Sequence, residues 1–234
     1  KLALENSSAV TAVCDFLAKK AEESYGIKDI SVVYNFVDIK RDPRAKSSEL
    51  REIFAKQSEK IIIHCSNFRE IKRISDVLEI FAKINKQIPS KLLLVGDGPE
   101  KGLAQKIAAK LKIIDRIHFM GLQDSVSRLL SISDLMLLPS EKEAFSLSAL
   151  EAMACGVAVI ATNVGGMSEM IASGKEGYLS EVGDVKGMAK NAVDLLQDKK
   201  LFKQITQEAL KKVRGNFSPE LITAQYEQIY KNLR

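Results

Sequence analysis

From residue 60 onward, short apolar runs alternate with helix-patterned segments, and this alternation constrains the fold more than any other feature of the 234 residues. Lys60-Ile-Ile-Ile-His-Cys65 reads as a buried strand. Residues 72–86 follow as an amphipathic helix, with Ile74, Val77, Leu78 and Phe81 on one face. Runs at 91–95, 116–120, 135–138 and 157–161, and a short one at 177–180, supply further strands. Between them lie a helix opened by Pro99 at its first position and running to about Leu111, a short helix over 124–131, and a helix starting near Phe145 and closed by Cys155 and Gly156. Short apolar strands separated by helices predict an α/β domain with a doubly wound, Rossmann-like parallel sheet covered on both faces. Ligands of such sheets bind at the carboxyl ends of the strands. Residues 66–72, 96–99, 121–124, 140–147 and 163–166 all follow strands, so they are expected on one edge.

Composition removes several classes of function. The formal charge is only +5, and basic pairs such as Lys199-Lys200 and Lys211-Lys212 are dispersed with few aromatics, a pattern of solvated helix faces rather than of nucleic-acid contacts. No apolar run reaches the length of a membrane span, and no secretory h-region is present. Cys14, Cys65 and Cys155 are odd in number and widely spaced, which fits a reducing cytoplasm better than a disulfide framework. Gly96-Asp-Gly98-Pro-Glu-Lys-Gly102 follows a strand but has the wrong spacing for a dinucleotide fingerprint, and no acid ends the next strand at Met120-Gly121-Leu122. No Asp-x-Asp pair is present. His64 and Cys65 are neighbours on one strand and His118 lies within another, so all three read as structural and no metal is expected.

The chemistry concentrates in Glu143-Ala-Phe-Ser-Leu-Ser-Ala-Leu-Glu151, where one acid falls on a loop and the other on the helix after it. Two carboxylates beside the free N–H groups of a helix start suit an anionic ligand that also carries hydroxyls. The Glu143-x7-Glu151 spacing, with Ala152-Met-Ala-Cys-Gly-Val157 and Gly165-Gly166-Met-Ser-Glu169, resembles the nucleotide-sugar-binding half of retaining glycosyltransferases of family 4, the two-Rossmann-domain (GT-B) type. The resemblance runs from about residue 9 to the C-terminus. Leu135-Met-Leu-Leu-Pro-Ser-Glu-Lys-Glu143 with Ser66-Asn67-Phe68-Arg69 is most similar to the bacillithiol-pathway branch, which joins N-acetylglucosamine from UDP-GlcNAc to L-malate.

That resemblance implies a role for each site residue. Glu151 would accept hydrogen bonds from the ribose hydroxyls. Glu143 would contact the donor sugar and stabilise positive charge developing on its ring. Phe145, Ser146 and Leu147 would offer backbone N–H groups to the diphosphate. Ser146 stands where the family usually has glycine, which permits positive φ and close backbone approach. Lys72 and Arg69 are the candidate cations, Asn67 takes the usual arginine position, and Arg73 reads as a solvent-facing helix residue. Gly98 would line the nucleotide pocket and Gln123 would meet the base through its backbone. No protein nucleophile stands out, so the family implies front-face displacement aided by the β-phosphate. UDP-GlcNAc enters as donor substrate, not as a resident cofactor.

The same resemblance divides the chain. Residues 1–40, helical at 9–24 and extended at 30–33, would close an N-terminal domain and form the interdomain hinge. Residues 41–58 would be linker and helix, 59–215 the nucleotide-sugar-binding domain, and 216–234 a crossover helix with part of its apolar face exposed. Two complete Rossmann domains would not fit comfortably in this length. The chain is therefore expected to be a C-terminal fragment, inactive alone, that meets L-malate only through an acceptor domain; a homo-oligomer is compatible with it. A related enzyme with a lipid or sugar acceptor, or a non-catalytic nucleotide-binding module suggested by Ser146, are the alternatives.

Overall fold

The computed structural model describes residue 4 and residues 6–38 and 48–233. Of the linker and helix expected over 41–58, residues 41–47 lie outside them. An N-terminal unit comprises β1 (Thr11–Ala12), α1 (Asp15–Tyr25) and β2 (Ser31–Val32), the two strands pairing in parallel. Then follow α2 (Ser48–Phe54), β3 (Lys60–Cys65), α3 (Ile74–Asn85), β4 (Ser90–Val95), α4 (Lys101–Lys110), β5 (Ile117–Gly121), α5 (Ser127–Ile132) and β6 (Leu135–Leu138). The chain continues through α6 (Leu147–Ala154), β7 (Ala158–Thr162), α7 (Met167–Met170), β8 (Tyr178–Ser180), α8 (Val185–Gln197), α9 (Lys199–Asn216) and α10 (Pro219–Asn232).

Strands β3 to β8 form one parallel sheet in the order β5-β4-β3-β6-β7-β8. The α/β, doubly wound expectation therefore describes the fold. Alternation along each strand sends successive side chains to opposite faces. Ile61, Ile63, Leu93, Met136 and Val159 pack on one side with α6 and α9, while Ile62, Leu92, Leu94, Leu135 and Ile160 pack on the other with α3 and α8. Both faces are covered, which is why the strands read as continuous apolar runs.

The order also locates a crevice. The chain leaves β3 toward β4 on one side and leaves β6 toward β7 on the other, so the two crossovers diverge between β3 and β6. Such a topological switch point opens a cleft at the carboxyl ends of its two central strands. Below, at the opposite edge, Asp134 accepts from the amide of Ile61 and pairs with Arg51 (both 2.8 Å), tying α2 to the sheet.

Several helix boundaries differ from expectation. Residues 9–14 are not helical: Thr11–Ala12 pairs with β2, and Cys14 is extended (φ −166°, ψ 160°), so α1 starts only at Asp15. Pro99 precedes the helix instead of opening it, because the amide of Glu100 is drawn across to the carbonyl of Phe68 (2.9 Å) and α4 begins at Lys101. The helix expected over 124–131 begins at Ser127, where Val126 O accepts from the amides of Leu129 and Leu130. In α10 only Ile222 is buried, while Leu221 and Tyr230 are exposed.

Candidate functional site

The two central strands each deliver one charged side chain to the switch point. The segment after β3 carries Lys72, at the end of a 3₁₀ turn over Glu70–Lys72, and the segment after β6 carries Glu143. Lys72 Nζ donates to Glu143 Oε1 at 2.6 Å, with only 17% and 10% of the two side chains exposed. The amide of Glu141 donates to the carbonyl of Ile71 (2.8 Å), so the two loops are also joined through their backbones.

The β3 loop is built for close approach. His64 is fully buried beneath it, with Nδ1 2.8 Å from the carbonyl of Leu137 and Nε2 2.8 Å from Ser66 Oγ. A carbonyl only accepts, so Nδ1 carries the proton and Nε2 accepts from the Ser66 hydroxyl. Burial, with Lys72 nearby as a smaller cause, depresses the His64 pKa to about 4 and keeps the ring neutral. Ser66 Oγ in turn accepts from the amide of Phe68 (3.3 Å), and Phe68 sits at a positive φ of 37°. The β4 loop abuts this one without room to spare: a Cβ on Gly96 (φ 117°) would lie 1.8 Å from the carbonyl oxygen of Ser66, and one on Gly98 would lie 2.1 Å from that of Asn67.

Ser146, the departure from the family glycine, is the N-cap of α6. Its φ of −79° and ψ of 106° are ordinary for a side-chain-bearing residue, and its Oγ accepts from the amide of Ala149 (3.4 Å). The helix therefore begins at Leu147, later than expected, and Phe145 lies before it. Amides in the first turn of any helix lack intrahelical acceptors, and here they open beside Glu143. One turn further along α6, Glu151 is partly buried, and burial alone raises its pKa above the usual carboxylate range. Its charge is felt at Cys65, the last residue of β3, whose thiol is pushed up to about 12, chiefly by its own burial.

Lys72 and Glu143 meet at the switch point, and Glu151 lies on the helix that follows Glu143. Other expected residues surround this cluster less tightly. Arg69 is exposed and forms no ion pair among the described residues, and Asn67 is exposed on the same loop. Gln123 is exposed, with Nε2 donating to the carbonyl of Met120 (2.8 Å). Arg73 is not simply solvent-facing as expected: it holds φ +50°, and its Nε donates to Asp76 Oδ2 (2.7 Å) in the first turn of α3. Phe145 is buried, its ring packed on Tyr34 and Phe217. Sequence reasoning missed the His64–Ser66 support and the contacts made by Cys14, Tyr34 and Glu169. Among the described residues no group of three His, Cys, Asp or Glu side chains is placed to hold a metal ion, and no helix is long and apolar enough to cross a membrane.

Known proteins share this architecture and this sequence. A family model described as glycosyl transferases group 1 matches residues 46–212, which include every residue of the cluster. The chain belongs to that family. The N-acetyl-alpha-D-glucosaminyl L-malate synthase of Bacillus anthracis is 47% identical over 232 residues, covering 98% of this chain and 61% of that protein. Among solved structures, a glycosyltransferase from Rickettsia africae ESF-5 superposes with a TM-score of 0.87 at 26% identity, over 96% of this chain and 63% of that one. Anabaena Alr3699/HepE in complex with UDP superposes with a TM-score of 0.88 at 23% identity, over 99% and 65%, a likeness of fold. The chain thus spans less than two thirds of the length of each of these three proteins.

Proposed function

We propose that this chain binds UDP-GlcNAc at the switch point and serves as the donor-binding part of a retaining glycosyltransferase that transfers N-acetylglucosamine to L-malate. The observation that carries the reading is the Lys72–Glu143 pair at the switch point, followed in the chain by the α6 start and Glu151, in a chain 47% identical to a GlcNAc–malate synthase. Glu151 receives the ribose hydroxyls; the first-turn amides of α6, with Lys72 and Arg69, receive the diphosphate; Glu143 receives the sugar hydroxyls. Lys72 neutralises the departing diphosphate while the acceptor attacks from the same face as the leaving group. Malate binding is assigned to a region outside the 232 aligned residues. The negative φ of Ser146 weakens the argument from serine in place of glycine for a non-catalytic module.

Calorimetric titration with UDP and with UDP-GlcNAc tests this. Saturable one-to-one binding, weakened about tenfold or more by Lys72→Ala and by Glu151→Ala, is the expected result, since a charge-assisted hydrogen bond contributes roughly 1.5–3 kcal/mol. A folded wild-type chain that takes up neither ligand refutes it.

A further inference from the structure

The loop that carries Glu143 is gripped from behind by residues far away in sequence. The amide of Gly166 donates to the carbonyl of Ala144 (2.8 Å). Cys14, fully buried, donates its thiol to the same carbonyl (3.3 Å). Gly165 holds φ +59°, and a Cβ there would lie 1.6 Å from the carbonyl oxygen of Glu143. The ring of Phe145 completes a cluster with Tyr34 and Phe217, all centroids within 5.4–5.5 Å.

Helix α1 is fastened to this loop in an unusual way. It buries none of its side chains, and its N-cap residue, Cys14, makes no side-chain cap. Its first two amides instead donate to a carboxylate 153–154 residues away: Asp15 N to Glu169 Oε2 (2.8 Å) and Phe16 N to Glu169 Oε1 (2.9 Å). Tyr34 donates its hydroxyl to the same carboxylate (3.0 Å) while its ring lies on Phe145. A helix that only needed capping would be served by Ser or Asp at position 14. Here the cap comes from α7, directly after the two glycines that hold the Glu143 backbone, and position 14 is given to a thiol that faces the Ala144 carbonyl.

We propose that Glu169 and Tyr34 are positioning residues for Glu143: they clamp the segment 11–38 against the loop 141–146 and so set the Glu143 carboxylate for the donor sugar. The sugar part rests on the proposed function; the clamp itself does not. Hydrogen exchange on the ligand-free chain reads the clamp, and calorimetry reads its consequence. Glu169→Ala is expected to speed exchange of the backbone amides at 144–147 and 166 about tenfold, the loss of roughly one hydrogen bond's worth of local stability. Tyr34→Phe, which keeps the ring on Phe145, gives a smaller increase, about threefold. In Glu169→Ala the ratio of UDP-GlcNAc to UDP affinity falls about threefold to tenfold. In a Glu143→Gln background the same substitution lowers that ratio no further, because its effect runs through Glu143.

Unchanged exchange at 144–147 and 166 in a folded Glu169→Ala chain overturns the clamp, whatever the chain binds. Equal weakening of UDP and UDP-GlcNAc, or an effect additive with Glu143→Gln, overturns the positioning role. Failure of the wild-type chain to bind UDP overturns the donor-site reading and the sugar part with it, while exchange still decides the clamp.

Discussion

Neutralising Glu143 should strengthen the binding of UDP, although Glu143 lies in the site proposed to hold the donor. The reason is the ion pair at the switch point. Lys72 and Glu143 meet at 2.6 Å with both side chains largely shielded from water. At an effective dielectric constant near 20, two unit charges 4 Å apart attract by about 4 kcal/mol. Desolvation of the partly buried pair offsets much of that, leaving about 1.5–3 kcal/mol for a charge-assisted bond. A diphosphate that recruits Lys72 must draw it away from Glu143 and then lie beside a carboxylate. Glu143→Gln keeps the shape and a hydrogen-bond acceptor but removes the competing charge. Recovering about 1–2 kcal/mol tightens UDP by about 5–30-fold. UDP-GlcNAc should gain less, because the amide is a weaker acceptor for the sugar hydroxyls than the carboxylate it replaces. The UDP-GlcNAc to UDP affinity ratio therefore falls even as both ligands bind. Parallel calorimetric titrations of wild type and Glu143→Gln in the same buffer measure both quantities. Weaker or unchanged UDP binding in Glu143→Gln would show that Lys72 is not held in reserve by Glu143, and the exchange of partners would be wrong.

Three further outcomes follow from the same geometry. Glu151→Gln should lose UDP affinity yet raise the melting temperature at pH 7.5. Burial raises the folded pKa of Glu151 above the usual carboxylate range, so its carboxyl costs stability as pH rises through that pKa, and the gain should shrink as pH is lowered. Gly165→Ala should destabilise the chain well beyond Gly26→Ala: both hold positive φ (59° and 68°), but a Cβ at Gly165 meets the Glu143 carbonyl at 1.6 Å whereas one at Gly26 meets nothing within 4 Å. Urea melts of the two variants isolate the steric part, and equal losses would refute the close packing. His64, held at a pKa of about 4 against an ordinary 6.5, contributes stability that is intact above pH 6.5 and lost as pH falls toward 4, about 3 kcal/mol in all; His64→Asn should flatten urea-melt stability over that window, on top of the opposite and separately removable contribution of Glu151.

The sheet was legible because its strands are buried on both faces. Runs such as Lys60–Cys65 and Leu135–Leu138 are apolar throughout and bounded by turn residues, so strand positions came within about a residue of those observed. The same uniformity hid the strand order: nothing in Ile61-Ile-Ile63 says that it pairs with Leu135-Met136 rather than with Ala158–Thr162. Without the order, the switch point and the meeting of Lys72 with Glu143 across 71 residues could be placed on an edge but not at a point. Helix starts failed where a distant partner sets the boundary. Glu100 turns toward Phe68, and Cys14 stays extended because its neighbours' amides are claimed by Glu169.

Ser146 shows how a motif read against a family can mislead when its physical reason is left out. Glycine matters where φ is positive or a backbone must come close, and the structure places those demands on Gly96, Gly98 and Gly165, each with a carbonyl oxygen where a Cβ would stand. Position 146 does not need a positive φ. Its φ is −79°, in the extended region that N-cap residues favour, and its hydroxyl turns back to the amide of Ala149 and to Ser148. Serine there supplies a side-chain cap, worth only about a few tenths of a kcal/mol over glycine at such a position. The backbone at Ser146 is one that serine adopts without strain, so its presence where the family usually has glycine gives no conformational reason to read the helix start as weakened.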